Sequence, residues 1–193
     1  MSKLVAFTSA ALGALLLIAP VISPASAQDK MTKSDKGAET TVMVGGSPMY
    51  PSKNIVENAV HSKDHTTLVA AVKAAGLVET LEGKGPFTVF APTNAAFGKL
   101  PAGTVDNLVK PENKKTLTKI LTYHVVPGKL EAASLTDGKK LKTVEGEELT
   151  VKKSGDSVMI VDAKGGSATV TIPNVNQSNG VIHVVDTVLM PAS

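Results

Sequence analysis

Apolar positions along this chain recur with more than one period, and the changes of period mark out its elements. From Asn54 to Leu81 they fall three and four apart: Ile55, Val56, Ala59 and Val60, then Leu68, Val69, Val72 and Ala75 before Gly76. That spacing predicts amphipathic helices on a core, with Gly76 as a C-terminal stop. Phe87 to Ala91 alternates as a short strand that Pro92 ends, because proline has no ladder donor. Thr93 or Asn94 then offers an acceptor to the free amides of a new turn, which puts Ala95, Ala96 and Phe97 on a short helix. Pro111 suits a first helical position, and Leu117, Ile120, Leu121 and His124 continue one face, so a helix is expected over 111–122.

After Gly138 the period falls to two. Leu141 and Thr143, Leu149 and Val151, Val158 and Ile160, and Ala168 and Val170 form alternating runs. Glu145-Gly146, Ser154-Gly155-Asp156 and Gly165-Gly166 separate them, and such glycine-bearing connectors predict hairpins and an antiparallel sheet. Helices first and hairpins afterwards, without strand–helix alternation, indicate an α+β domain rather than a doubly wound one.

Residues 1–27 join Lys3, a mostly apolar run from Leu4 to Ile22 and the small-residue site Ala25-Ser26-Ala27, the pattern of a cleaved secretory signal peptide. Residues 28–51 are polar and small, with Lys30, Lys33, Asp35, Lys36 and Glu39 ahead of Gly45-Gly46-Ser47-Pro48. Too little apolar surface is present there to offset ordering entropy, so a flexible leader is expected, followed by one domain over 52–193. No later run approaches the ~18 apolar residues of a spanning helix, so no membrane span is expected once the signal is removed. The expected location is secreted, periplasmic or extracellular.

Composition narrows the chemistry. All 20 basic residues are lysine, against 17 acids, with no cysteine and no tryptophan. Nearly balanced charge without the arginine fork or stacking aromatics argues against nucleic acid, and without cysteine the fold holds by packing. His61 and His65 flank Asp64 at metal-like spacing, but the glutamate of a metalloprotease helix is missing, and a polar joint between helices explains them better. No metal and no cofactor is expected. The serines lie in turns or polar stretches without a Gly-x-Ser-x-Gly elbow, so no catalytic residue is assigned. His183 shares a strand face with Val181 and Val185; if that face is inside, its ring must be hydrogen bonded. Tyr123-His124, just before Val125-Val126, puts two polar-tipped rings at a helix–strand joint. They form either a partner-binding patch with the valines or a filled joint whose polar atoms are bonded inward.

From Asn54 to Pro191 the chain resembles a fasciclin-like domain. Asn54 to Leu81 resembles the family's opening helices, Phe87 to Phe97 its first signature, Tyr123-His124 its central Tyr-His pair, and Asn179 to Pro191 its second signature. The resemblance is greatest to single-domain secreted bacterial members. It implies a fasciclin-like α+β fold of wedge-shaped antiparallel β-sheets with several helices packed around them. It makes Thr88, Phe90, Pro92, Thr93, Asn94, Phe97, Asn179, Gly180, His183 and Asp186 fold determinants, and Tyr123, His124, Val125 and Val126 the partner-binding residues. The function it implies is a non-enzymatic adhesion or protein-interaction module contacting a cell-surface or extracellular-matrix protein or glycan. Abundant Val, Leu and Ala with few aromatics motivate an alternative, a carrier of a lipid or small apolar ligand in the cell envelope, held in a cleft between helices and sheet.

Overall fold

In the computed structural model, residues 40–192 are described; the expected signal peptide and leader residues 28–39 lie outside the described residues. A hairpin of β1 (Val42–Val44) and β2 (Ser47–Met49) precedes helices α1 (Ile55–Ala59), α2 (Thr66–Ala75) and α3 (Val78–Glu82). Strand β3 (Phe87–Pro92) follows, then helices α4 (Asn94–Gly98), α5 (Thr104–Leu108) and α6 (Lys114–Tyr123). The remainder is strands: β4 (Val125–Pro127), β5 (Lys140–Lys142), β6 (Glu148–Ser154), β7 (Ser157–Val161), β8 (Ser167–Gln177) and β9 (Gly180–Val185).

Local chemistry accounts for most of these bounds. Asn54 opens α1 with a reciprocal cap: its side chain accepts from the Glu57 amide at 2.8 Å, and the Glu57 carboxylate accepts from the Asn54 amide at 2.9 Å. Gly76 ends α2 in the left-handed conformation, φ 74°, as its position predicts. The Thr93 hydroxyl accepts from the Ala96 amide and starts α4. Pro111–Asn113 form a short 3-10 turn, so α6 begins later than the periodicity suggests and ends on Tyr123.

Seven strands form one sheet in the order β4-β3-β9-β8-β7-β6-β5. Neighbours are antiparallel except β3 and β9, which pair parallel with Phe87 opposite Gly180 and Pro92 opposite Val185. This pair departs from the antiparallel pattern expected. Parallel strands need a long crossover, and the helices and hairpins between the two signature motifs supply it. Because β9 lies inside the sheet with a neighbour on each side, every one of its residues is buried, which explains an apolar run broken only by His183. Register shifts in β8 around Ile172, with Asn174 at φ 56°, bend that strand. Past β5, the Val144 amide donates to the Val125 carbonyl at 2.8 Å, tying one end of the sheet back to the other.

Two apolar groups result. Phe90, Tyr123, Leu149, Ile160 and Leu189 pack within the curl of the sheet, while Leu68, Val72, Leu117, Val89 and Ile182 pack between helices and sheet.

The end of the expected flexible leader is a correction. Residues 42–49 turn through Gly45 (φ 57°) and Gly46 (φ 76°), the type I′ geometry glycine permits, and Val44 and Met49 are buried in the helix-side core. Asn58 on α1 holds them: its carbonyl accepts from the Tyr50 amide at 3.0 Å, and its amide donates to the Tyr50 carbonyl and to Gln177. Averaged composition misses this because two apolar side chains and a borrowed asparagine order a hairpin that alone is marginal.

Candidate functional site

Tyr123 is the last residue of α6, His124 its C-cap and Val125 the first of β4, so the pair occupies the helix–strand joint as expected. All four candidate partner-binding residues are buried: Tyr123 is 0% exposed, His124 2%, Val125 6% and Val126 3%. The Tyr123 hydroxyl accepts from the Ala163 amide at 2.9 Å and lies 3.5 Å from the Glu148 carbonyl; burial pushes the phenol pKa up. His124 Nδ1 is 2.8 Å from the Ile120 carbonyl and Nε2 is 3.0 Å from the Leu189 amide. Those partners assign the proton to Nδ1, with Nε2 accepting. Burial lowers the imidazole pKa to about 4, so the ring is neutral. A partner patch at Tyr123, His124, Val125 and Val126 is therefore corrected: the rings close the joint, and their side chains offer a partner no surface.

The signature residues act as ties between distant segments. Thr88 donates to the Gly128 carbonyl at 2.6 Å and accepts from the Leu130 amide at 2.8 Å. Asn94 accepts from the Thr67 amide and Thr66 hydroxyl and donates to the Lys63 carbonyl, capping α2 from the first position of α4 where His65 supplies no cap. Phe90 stacks on His183, ring centres 5.7 Å apart, and Phe97 is buried. Asn179 accepts from the Ile55 amide at 3.1 Å and donates to the Leu81 and Gly83 carbonyls at 2.7 and 3.1 Å. At Gly180 a Cβ would collide with the Phe87 carbonyl, so only glycine lets β9 approach β3. His183 is buried, and its Nε2 lies 2.7 Å from the Leu130 carbonyl; burial lowers its pKa. Asp186 accepts from the Thr169 amide, the Thr187 hydroxyl and Lys99; burial opposes ionisation there, but these donors outweigh it and hold the carboxyl below its usual value.

His61 and His65 point to different partners. His61 is exposed, with Nδ1 2.7 Å from the Glu57 carbonyl, while the His65 Nδ1 is 2.9 Å from the buried Ser62 hydroxyl.

Two concavities among the described residues bear on binding. An apolar cavity of about 50 Å³ lies between helices and sheet, walled by Val44, Met49, Leu68, Val72, Val89 and Ile182, with His65 also lining it. A polar groove of about 560 Å³ runs over the Gly85-Pro86 and Asn179-Gly180 turns, bordered by Glu57, Glu82, Lys84 and Lys129. Sequence reasoning missed these groove residues. The available signal was adjacency alone: Lys84 precedes the first motif and Lys129 follows the Gly128 turn.

The family model described as Fasciclin domain matches residues 63–191. The chain is 47% identical to Protein sll1483 of Synechocystis sp., over 98% of this chain and 97% of that protein. It is 34% identical to Immunogenic protein MPB70 of Mycobacterium bovis, over 97% and 96% of the two chains. With Cell surface glycolipoprotein MPB83 of the same species it shares 44% identity over 60% of this chain and 48% of the other. A solved FAS1 domain pair from the insect cell adhesion molecule Fasciclin I has the same fold, with a TM-score of 0.65 at 18% identity over 73% of this chain and 52% of that one. The matched span begins at Lys63, whose carbonyl accepts from Asn94, and closes on Pro191 beyond β9, taking in both tie-bearing motifs: this chain belongs to the fasciclin domain family.

Proposed function

We propose that this protein is an exported, non-enzymatic adhesion or interaction module whose polar groove meets a protein or glycan of a cell surface or matrix. The observation that carries this reading is the fate of its chemistry-bearing rings. Tyr123, His124 and His183 are all buried and bonded to main-chain groups, so the surface is what the domain offers a partner. The groove sets two carboxylates and two ammonium groups on a frame that resists movement, because Gly85 and Gly180 are packed against the Asn179 and Phe87 carbonyls. A preformed frame lowers the ordering cost of binding. The names of similar proteins, a cell surface glycolipoprotein and a cell adhesion molecule, agree with this role. Among the described residues, no helix is long and apolar enough to cross a membrane.

The double charge reversal Lys84→Glu with Lys129→Glu tests the groove. Attachment of the labelled protein to envelope fractions of its host should fall about tenfold, while unfolding free energy stays within about 0.5 kcal/mol. Undiminished attachment would sink the groove as the contact surface.

The carrier alternative has the apolar cavity in its favour. At about 50 Å³ it is too small for an acyl chain, since the engineered cavity that takes up benzene measures ~150 Å³. What survives is a small ligand.

A further inference from the structure

Of the asparagines in this chain, Asn179 alone is followed by glycine. The pair is chemically reactive, because an asparagine side chain and the next main-chain nitrogen close a five-membered ring, and glycine leaves that nitrogen unshielded. The Gly180 nitrogen gives up its proton to water and bonds to Asn179 Cγ; the Cγ–Nδ2 bond breaks and Nδ2 leaves as ammonia. Water then opens the cyclic imide. Scission at Cγ leaves aspartate, and scission at the Asn179 main-chain carbonyl carbon leaves isoaspartate, whose chain runs through Cβ and Cγ. Overall one water is consumed and one ammonia released, without oxidation or reduction.

The fold restrains the atoms this reaction must move. Asn179 Nδ2 donates to the Leu81 and Gly83 carbonyls, Oδ1 accepts from the Ile55 amide, and the main-chain carbonyl accepts from the Phe87 amide at 3.0 Å. Ring closure turns the side chain back on its own main chain, so its three bonds must break first. Gly180 is buried, in register with Phe87 on one side and Gln177 on the other. Ser178 beside the pair is exposed and the polar groove lies over the turn, so water reaches the site whenever the turn opens. Such local openings belong to every native state.

Neither product fits back. Aspartate puts an oxygen in place of Nδ2, facing the Leu81 and Gly83 carbonyl oxygens without a hydrogen to share. Isoaspartate lengthens the main chain just before Gly180, where even a Cβ would collide with the Phe87 carbonyl.

We propose that Asn179-Gly180 is a deamidation site gated by the fold: intact while the β8–β9 turn is docked on α1 and α3, and converted when the turn opens, to a product that does not redock. A transient opening thereby becomes permanent, and the groove frame goes with it, since both residues line the groove. The inference goes beyond the adhesion reading and does not depend on what the groove binds.

The test incubates the full chain at mildly alkaline pH in native buffer and, in parallel, in urea above its unfolding midpoint, followed by trypsin under mildly acidic conditions. Residues 165–193 emerge as one peptide, because Lys164 is the last lysine and arginine is absent. Fragment masses then read deamidation at Asn174, Asn176 and Asn179 side by side. In urea Asn179 should convert well ahead of the other two; in native buffer it should convert at least about tenfold more slowly, three hydrogen bonds having to break first. The urea sample is returned to native buffer and split by ion exchange on the added negative charge. Its unmodified fraction should regain hydrogen-exchange protection in α1, α3 and β9, and its deamidated fraction should not. Asn179→Asp, never exposed to urea, should show the same loss. Equal rates in the two buffers overturn the gating, and no conversion at Asn179 in urea overturns the site. Full protection in the deamidated fraction or in Asn179→Asp overturns the one-way outcome.

Discussion

His124 bonds two main-chain groups at once: its ring joins α6, through the Ile120 carbonyl, to the segment after β9, through the Leu189 amide 65 positions later. Replacing it with alanine strips both partners and leaves a void, so His124→Ala should lower unfolding free energy by about 3 kcal/mol in urea titration. Tyr123→Phe keeps the ring and loses the Ala163 bond, for a smaller cost of about 1–2 kcal/mol. Attachment per folded molecule should be unchanged in both; a loss of attachment at full stability would return the pair to a contact role. At this scale the sequence shows a tyrosine and a histidine at a joint and goes no further. Ala163 and Leu189 arrive there only through tertiary pairing, and no local period encodes that.

Elements whose signal is local were legible in advance. The 3.6-residue spacing marks the helical region from Asn54 to Leu81, and the glycine connectors separate β5, β6, β7 and β8. The parallel contact of β3 with β9 was not legible, because a strand's sequence does not name its neighbour. What joins helices to sheet at that contact is Asn179, whose side chain reaches α1 and the end of α3 from the β8–β9 turn. Asn179→Ala removes three hydrogen bonds and should cost about 2–4 kcal/mol. Hydrogen exchange should quicken first in α1 and α3, with the β5–β7 hairpins keeping their protection. Uniform loosening of all elements would mean that Asn179 is not a local tie.

Across the whole molecule, His124 links stability to pH. Burial takes its pKa from the ordinary 6.5 down to about 4 in the folded chain, so below 6.5 the unfolded chain binds more protons than the folded one. Stability is then full above 6.5 and declines as the pH falls toward 4, by about 3 kcal/mol from this group. His65 and His183 are shifted in the same direction, and the lowered Asp186 adds a further loss at more acidic pH. Urea midpoints should therefore be flat above about pH 7 and fall steadily below it; a midpoint constant down to about pH 4 would contradict the burial of these rings.

Strand β9 is the last described strand along the chain and an interior one in space, 93 positions from its parallel neighbour β3. Closing so long a loop precedes any reward from the contact, which makes for slow assembly compared with a chain of local contacts. Before residues 180–185 are available, β3 has only β4 beside it and β8 only β7, so the sheet exists as two halves without a seam. Until residues 180–185 join, the helix-side half and the hairpin half have no shared strand, so β9 is the piece whose arrival turns two separate assemblies into one cooperative unit.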